Sequence, residues 1–249
     1  MRLAIVSDIH GNLPALEAVC ADIARRGPVD RIVNLGDSLS GPLLPLETAR
    51  FLMAQRDWVQ LAGNHERQLL THGPGQRSDA DEYAHAQLTP AEFAWMATLG
   101  PRLQLAPEVL LCHGSPRSDL EYLLETVEPG EFRLARADEI DQRLAGARAE
   151  VVLCGHSHLP RIVRAGEGGP LIVNPGSVGL QAYDDDHPHA HVVATGSPEA
   201  RYALVERIAP GRWTAALIAV PYDHAAMASL AMAHARPDWA HALATGRMN

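Results

Sequence analysis

The chain opens with an apolar run that is followed directly by two side chains able to bind a metal. The run covers residues 3–6, and Asp8 and His10 come just after it. A short apolar run that ends at a turn predicts a buried strand. Functional groups in an open α/β sheet lie beyond the carboxyl ends of its strands, and residues two apart in an extended segment point the same way. Asp8 and His10 are therefore expected to face one ion.

The same order, an apolar strand followed by polar side chains, recurs along the first 180 residues. Further strands are predicted at residues 31–35, 58–61, 108–112, 150–154 and 171–173. With the first strand included, the donor side chains that follow are Asp8, His10, Asp37, Asn64, His65, His113, His156 and His158. Carboxylate and imidazole donors that meet at strand ends are what a transition-metal site requires. Asn174, Gly176 and Ser177 follow the last strand, and we interpret them as a tight turn rather than part of the site.

Helical patterns alternate with these strands, which predicts an α/β fold. The predicted helices cover residues 15–25, 46–56, 79–87 and 137–144, with another that begins at Pro90 and ends before Gly100. Residues 67–102 contain no strand pattern, and we expect them to form a helical insertion near the site.

The tail of the chain has a different pattern. Strands are predicted at residues 190–194, 201–208 and 213–220, followed by one alanine-rich helix over 224–243. Residues 180–249 are thus expected to complete the fold. No linker or low-complexity segment divides the chain, which predicts one domain over residues 1–249.

The composition excludes some classes of catalysis and indicates the cellular compartment of the protein. All 21 basic residues are arginine, which excludes lysine-dependent catalysis. The net charge of −9 argues against a general nucleic-acid-binding surface, but bound divalent cations could still reverse the sign of a phosphate site. No apolar run reaches the roughly 18 residues of a membrane span, and no signal peptide precedes the first strand. Three scattered cysteines fit a reducing compartment, so we expect a cytoplasmic protein with no membrane partner.

Five blocks of the sequence together resemble the motifs of the calcineurin-like metallophosphoesterases. The blocks are Asp8-x-His10, Gly36-Asp37, Gly63-Asn64-His65-Glu66, His113 and Gly155-His156-x-His158. Order, spacing and strand context match as far as about residue 179, and the chain is most similar to the small bacterial and archaeal phosphodiesterase-like branch. The resemblance implies a four-layer α/β/β/α sandwich, in which two mixed β-sheets are flanked by helices.

The resemblance also implies a centre of two metal ions. It assigns four side chains to the first metal, namely Asp8, His10, Asp37 and His158. It assigns four to the second metal, namely Asp37, Asn64, His113 and His156, so that Asp37 bridges the two ions. Manganese is the first expectation for this mixed nitrogen and oxygen donor set, and iron, zinc or nickel are chemically reasonable.

Two cations that share Asp37 and a water would lower the pKa of that water, and the resulting hydroxide would attack phosphorus. His65 follows a ligand without being assigned as one, so we predict that it protonates the leaving alkoxide as general acid. Glu66 either orients that imidazole or is a solvated loop carboxylate. A scaffold protein with the same fold is the non-enzymatic alternative, and the presence of His65 argues against it.

The substrate prediction depends on two missing arginines. Related phosphoprotein phosphatases carry arginine after the Gly-Asp block and before Gly-Asn-His, where it binds phosphate oxygens. Residues 38–42 and 60–62 contain no arginine, although Arg67 or Arg117 could reach the site from another loop. We therefore predict a phosphodiesterase acting on small or nucleotide-like phosphate diesters. Hydrolysis of phosphomonoesters or phosphoproteins is the second possibility, and cleavage of dinucleoside polyphosphates is the third.

Three histidines near residue 190 are left out of the predicted site. His187, His189 and His191 follow three aspartates and look like a metal-binding tract. They follow no predicted strand end, and we interpret them as part of a solvated loop.

Overall fold

The computed structural model of the protein describes residues 1–249, which form fourteen strands and eight helices. The strands are β1 (Arg2–Val6), β2 (Arg31–Asn34), β3 (Val59–Gln60), β4 (Arg102–Ala106), β5 (Val109–Cys112), β6 (Glu125–Glu128), β7 (Glu131–Leu134), β8 (Val151–Leu153), β9 (Arg161–Arg164), β10 (Leu171–Asn174), β11 (Ala182–Asp185), β12 (His191–Ala194), β13 (Ala200–Ala209) and β14 (Arg212–Val220). The helices are α1 (Leu13–Arg25), α2 (Pro45–Ala54), α3 (Asn64–Thr71), α4 (Asp79–Gln87), α5 (Pro90–Met96), α6 (Ala137–Leu144), α7 (His224–Ala233) and α8 (Pro237–Thr245).

Ten of the strands form two mixed sheets of five. The first sheet has the order β14-β13-β1-β2-β3, and the second has the order β4-β5-β8-β10-β9. Strands β1, β2 and β3 run parallel to one another, as do β5, β8 and β10. Parallel strands end at the same edge of their sheet, so the segments that follow them are neighbours.

The two sheets pack face to face through alternate residues of their strands. In β1, Leu3 and Ile5 point into the core between the sheets, whereas Ala4 and Val6 point to the other face. Val109 and Leu111 of β5 come from the opposite sheet into the same core. A sheet whose strands carry apolar side chains on both faces must be covered by another layer on each face.

Helices provide those outer layers. Leu16 and Val19 of α1 pack against the outer face of the first sheet. Ile140 and Leu144 of α6 pack against the outer face of the second sheet, to which Cys112 of β5 contributes. The four-layer α/β/β/α sandwich of two mixed sheets is therefore confirmed.

Several predicted elements agree closely with the structure. Helices α4 and α6 have the predicted bounds, and the side chain of Asn12 accepts a hydrogen bond from Ala15 N at the start of α1. The insertion at 67–102 folds into the end of α3 followed by α4 and α5. None of the eight helices combines the length and the hydrophobicity that a membrane crossing requires.

Other elements differ from the prediction. Five strands, β4, β6, β7, β9 and β11, have no predicted counterpart. The single helix expected over 224–243 is two helices, because Ala235 adopts a left-handed conformation with φ 57° and Pro237 at the start of α8 has no N–H to continue a helix. The second of these helices, α8, places the indole of Trp239 beside the ring of His10.

Candidate metal centre

The structure brings together all eight side chains that the sequence placed at strand ends. Asp8 and His10 follow β1, Asp37 follows β2, Asn64 and His65 open α3, His113 follows β5, and His156 and His158 follow β8. The two sheets thus contribute to one site, whose open side is a cavity of about 990 Å³.

Six of these residues form two groups that could each hold a metal ion. The first group is Asp8, His10 and His158, and the second is Asp37, His113 and His156. The donor atoms within each group lie within 4.8 Å of one another. In the first group, the two Nε2 atoms of His10 and His158 are 3.1 Å apart. In the second, His113 Nε2 lies 3.0 Å from Asp37 Oδ2.

Asn64 lies beside the second group. Its Oδ1 atom is 3.1 Å from His113 Nε2, and its side chain is buried. An amide oxygen at this position could join the donors of the second group. It does not belong to the first group.

Three of the histidines are held in one tautomer by backbone carbonyls. Nδ1 of His10, His113 and His158 donates to the carbonyl oxygens of Ser40, Leu35 and Leu180, at 2.7, 2.9 and 2.8 Å. A carbonyl oxygen only accepts, so Nδ1 carries a proton in all three rings, and Nε2 is the nitrogen that faces the centre of the site. Histidines that bind metals are oriented by hydrogen bonds of this kind.

One carboxylate oxygen supports the presence of a cation. Asp8 Oδ1 is buried and has no hydrogen-bond partner, and it lies 3.5 Å from His158 Nε2. A buried charged oxygen without a partner is costly. A metal ion between Asp8 and the ligand histidines would satisfy it, so the residues fit the group that the family resemblance implies.

The pKa values of the ligand histidines follow from burial and from neighbouring carboxylates. Burial lowers the pKa of His10 to about 4 and that of His156 to about 3, so both imidazoles are neutral at pH 7. Burial also opposes a charge on His113, but the adjacent carboxylate of Asp37 outweighs it and raises the pKa of His113 to about 10. The field at Asp37 therefore favours positive charge, which a bound cation would supply.

The backbone of the candidate ligands is unusual. Five of them have positive φ angles, namely Asp8, His10, Asp37, His156 and His158, with values from 51° to 68°. Only two other residues besides glycine do so, Ala145 and Ala235. A left-handed conformation costs free energy for such residues and persists where the surrounding structure enforces it. The strain is concentrated in the segments that aim the donors.

Glycines before the candidate ligands allow neighbouring segments to approach closely. A Cβ atom on Gly63 would overlap the carboxylate of Asp37, and one on Gly155 would overlap Ser7 Oγ. The glycines of the Gly-Asn-His and Gly-His motifs are therefore required by packing at the site.

His65 lies next to the two groups and has its own partner. Its ring centroid is 5.5 Å from that of His10, and its side chain is 24% exposed and lines the cavity. His65 Nδ1 is 2.9 Å from Asp81 Oδ1. Burial alone would disfavour a charged His65, but the carboxylates of Asp37 and Asp81 raise its pKa to about 9. His65 is thus held protonated at neutral pH.

The sequence did not reveal Asp81 as the partner of His65. Asp81 lies in the first turn of α4, where Ser78 Oγ donates to its second oxygen at 3.0 Å. The spacing of Ser78 and Asp81 is typical of a helix start, and nothing local indicates that this turn faces the imidazole of His65. Several residues of the segment 67–102 line the cavity, among them His72, Gln76 and Asp81.

Both interpretations of Glu66 were wrong. Its side chain is fully buried and accepts backbone N–H groups from Asp37, Ser38 and Gly63 at 2.8, 2.7 and 2.7 Å. It neither orients His65 nor lies in solvent. The carboxylate instead joins the loop after β2 to the start of α3.

The remaining sequence expectations have mixed outcomes. Asn174 Oδ1 accepts from Gly176 N at 2.9 Å, as expected of a tight turn. His187 and His189 are exposed. The interpretation of His191 as a solvated residue was wrong, because its Nε2 accepts a hydrogen bond from the Tyr122 hydroxyl at 3.1 Å.

The two arginines that could have reached the site are bound elsewhere. Arg67 binds Asp119 through Nε and Nη2, at 2.6 and 3.0 Å, and Arg117 pairs with Glu121. Neither lines the cavity, whose arginines are Arg143 and Arg236. The missing strand-end arginines are therefore not replaced by Arg67 or Arg117.

A four-layer α/β/β/α sandwich with paired Asp and His groups at its strand ends has the architecture of a metal-dependent phosphoric ester hydrolase. Residues 1–197 match the family model of the calcineurin-like phosphoesterase superfamily domain, and the chain belongs to this family. The chain is therefore a metallophosphoesterase.

Solved structures and a curated relative are similar to this chain. The chain is similar to a metallophosphoesterase from Sphaerobacter thermophilus, with a TM-score of 0.77 and 26% identity over 99% of this chain and 100% of that one. A hypothetical protein from Pyrococcus horikoshii has the same fold, with a TM-score of 0.74 and 17% identity over 100% of this chain and 99% of that one. An uncharacterized protein of Methanocaldococcus jannaschii is 25% identical over 201 residues, or 71% of this chain and 76% of the relative.

Proposed function

We propose that the protein hydrolyses small phosphodiesters with two divalent metal ions. The observation that carries the proposal is the pair of adjacent Asp and His groups at the base of one cavity. Asp8, His10 and His158 would hold the first ion, and Asp37, His113 and His156 would hold the second. Asn64 would complete the second set, and Asp37 would be shared by both.

The metals supply positive charge for the phosphate oxygens and activate water at neutral pH. The chain itself provides the proton that the leaving alcohol needs. His65 lies beside His10 and is held protonated by Asp81, which suits a general acid. Manganese is the proposed ion for activity, because the donors are a mixture of imidazole nitrogens and carboxylate or amide oxygens.

The charge of the cavity supports a preference for diesters. Apart from Asp37, six acidic side chains line it, and four of them are paired with a basic side chain; the pairs are Asp81–His65, Glu121–Arg117, Glu125–Arg161 and Asp238–Arg236. Asp184 and Asp185 have no arginine partner. A monoester dianion is repelled more strongly by these two carboxylates than a diester with a single charge.

The proposal is tested with bis-p-nitrophenyl phosphate and p-nitrophenyl phosphate in manganese. We expect a higher kcat/KM for the diester. A value for the monoester tenfold or more above that for the diester would overturn the diester preference.

Metal analysis after manganese soaking is expected to find two equivalents per chain, and a maximum of one would contradict the two-metal site.

The role of cavity charge has its own test. Replacing both Asp184 and Asp185 by Asn should raise kcat/KM for the monoester relative to the diester by about two- to fivefold, the range of an exposed charge interaction. Asp186→Asn is the matched control, since Asp186 is exposed and does not line the cavity. An unchanged ratio in the double variant would show that these carboxylates do not select the substrate.

A further inference from the structure

The imidazole of His156 is held in a different way from those of the other candidate ligand histidines. In the other three, Nδ1 donates to a backbone carbonyl. The hydrogen bonds of His156 involve its backbone alone: its N–H donates to Asp8 Oδ2 at 3.2 Å, and its carbonyl accepts from the Tyr183 hydroxyl at 3.4 Å. The backbone of His156 is therefore anchored, but no hydrogen bond fixes the rotation of its ring.

Aromatic rings contact His156 where a hydrogen-bond partner would otherwise orient it. The centroid of the Tyr122 ring lies 4.9 Å from that of His156, at an interplanar angle of 44°. The ring of His113 is 5.1 Å away, and it is itself a candidate ligand of the same metal. Tyr122 is thus the aromatic neighbour of His156 that belongs to neither ligand group.

Tyr122 is held in place by the hairpin of β11 and β12. Its side chain is buried, and its hydroxyl lies 2.6 Å from the hydroxyl of Tyr183 in β11. The same hydroxyl donates to Nε2 of His191 in β12 at 3.1 Å. These two contacts hold the ring of Tyr122 against His156.

The first metal group has no comparable need for an aromatic support. The ring of Tyr183 lies 4.7 Å from that of His158, but His158 Nδ1 already donates to the carbonyl of Leu180. His10 is likewise oriented by the carbonyl of Ser40. Loss of the Tyr122 ring is therefore expected to affect the second group and to spare the first.

We propose that Tyr122 is a positioning residue for the second metal ion, and that its ring sets the orientation of the His156 imidazole. This inference rests on the metal centre of the proposed function. A side chain that is already oriented loses less conformational freedom when it binds, and packing that locks the rotamer of a ligand serves this purpose. Tyr122 supplies no ligand atom and acts through His156.

The test is manganese binding to protein freed of metal by a chelator, measured by calorimetry. Tyr122→Leu removes the ring and should weaken one of the two sites about 10- to 100-fold, the range for loss of a group that orients a metal ligand. The other site should keep its affinity. Tyr122→Phe keeps the ring and should retain most of the affinity. Tyr122→Met fills the space with a flexible chain and should show the same loss as Tyr122→Leu, which guards against a folding defect in the leucine variant.

A double-mutant cycle tests whether Tyr122 acts through His156. His156→Ala should weaken the same site, and the addition of Tyr122→Leu should cause no further loss, because two residues that act through one contact are not additive. Phe93→Leu is the matched control. The ring of Phe93 lies 4.8 Å from that of His85, at an interplanar angle of 52°, and neither residue is a candidate ligand or lines the cavity. This change should leave both affinities unaltered.

The inference would be overturned by unchanged affinities in Tyr122→Leu and Tyr122→Met, or by equal weakening of both sites. A loss in Tyr122→Phe as large as that in Tyr122→Leu would also overturn it, as would a further loss on the His156→Ala background or manganese binding that does not depend on His156. If the wild type binds a single manganese that His156→Ala abolishes, the two-metal proposal fails, and the effect of Tyr122→Leu on that one site still decides the inference. Metal binding does not depend on turnover, so a preference for monoesters in the activity assay would overturn the proposed diester specificity alone.

Discussion

The imidazole of His65 differs from the ligand imidazoles in the partner of its Nδ1 atom. The ligands His10, His113 and His158 donate Nδ1–H to neutral carbonyls, whereas His65 faces the carboxylate of Asp81. A carboxylate beside Nδ1 favours the protonated ring, whereas a carbonyl only fixes Nδ1 as a nitrogen that carries a proton. These partners fit the proposed roles, which are proton transfer by His65 and metal binding by the other three histidines.

Replacing His65 by Gln tests the proposed proton transfer. We expect both metals to remain and turnover to fall about 10² to 10⁴-fold for a substrate with a poor leaving group. Substrates such as nitrophenyl esters, whose leaving groups need no proton, should be affected much less. Loss of the metals, or an equal loss on both substrate types, would contradict the role of His65.

Replacing Asp81 by Asn tests the positioning of His65. The general acid must be protonated, and Asp81 raises its pKa. Without this carboxylate the pKa of His65 falls, so the alkaline limb of the kcat/KM profile should move to lower pH, with kcat reduced for poor leaving groups. Asp79→Asn, an exposed change in the same turn of α4, is the control. An alkaline limb at the wild-type position in Asp81→Asn would show that Asp81 does not act through His65.

At the scale of elements, the loops after parallel strands are joined by side chains from neighbouring loops. Glu66 in the first turn of α3 accepts the N–H groups of Asp37 and Ser38 in the loop after β2. The position of Asp37 thus depends on a helix that follows a different strand. A buried carboxylate with several backbone donors orders both elements at once.

Glu66→Gln should lower the free energy of unfolding by about 1 to 3 kcal/mol. An amide NH₂ cannot accept, so at least one buried N–H of the loop loses its partner. Urea unfolding measures the effect, and manganese affinity should weaken with it because Asp37 is less well held. Glu17→Gln on the exposed face of α1 is the matched control. Wild-type stability in Glu66→Gln would show that the loop does not depend on this carboxylate.

At the scale of the whole molecule, each candidate metal would link the two sheets. Asp8 and His10 come from the first sheet and His158 from the second, and Asp37 is likewise paired with His113 and His156. A ligand that binds only the folded state stabilises it by mass action. Metal binding is therefore expected to hold the sandwich together at its functional edge.

Chelation should lower the melting temperature. At a hundredfold excess over Kd, each site contributes about 2.7 kcal/mol, which corresponds to roughly 5–10 °C for a chain of this size. Scanning calorimetry with and without manganese measures the shift. Asp37→Asn, which alters a donor of the second group that we propose both ions share, should reduce it. A melting temperature independent of manganese in the wild type would contradict the cross-linking of the sheets.

Local pattern was sufficient to predict an α/β fold and the donors at the strand ends, whereas the four-layer sandwich was implied by the family resemblance. Strands such as β5 and β8 are short apolar runs, and the polar residue that follows a parallel strand lies at the sheet edge by construction. For this reason Asp8, Asp37, His113 and His158 could be named from the sequence. The short strands with mixed composition, such as β6 and β11, carry too weak a pattern and were missed.

Only the tertiary structure determined which side chains meet. His10 and His158 are 148 residues apart and face each other at 3.1 Å, and the partnership of His65 with Asp81 depends on how α4 packs beside α3. The alanine-rich tail has a uniform helical composition, so its break at Ala235 and the resulting position of Arg236 depend on docking against the loop after β2. Periodicity within a segment is encoded by neighbouring residues, whereas these contacts depend on the packing of distant segments, which no local pattern records.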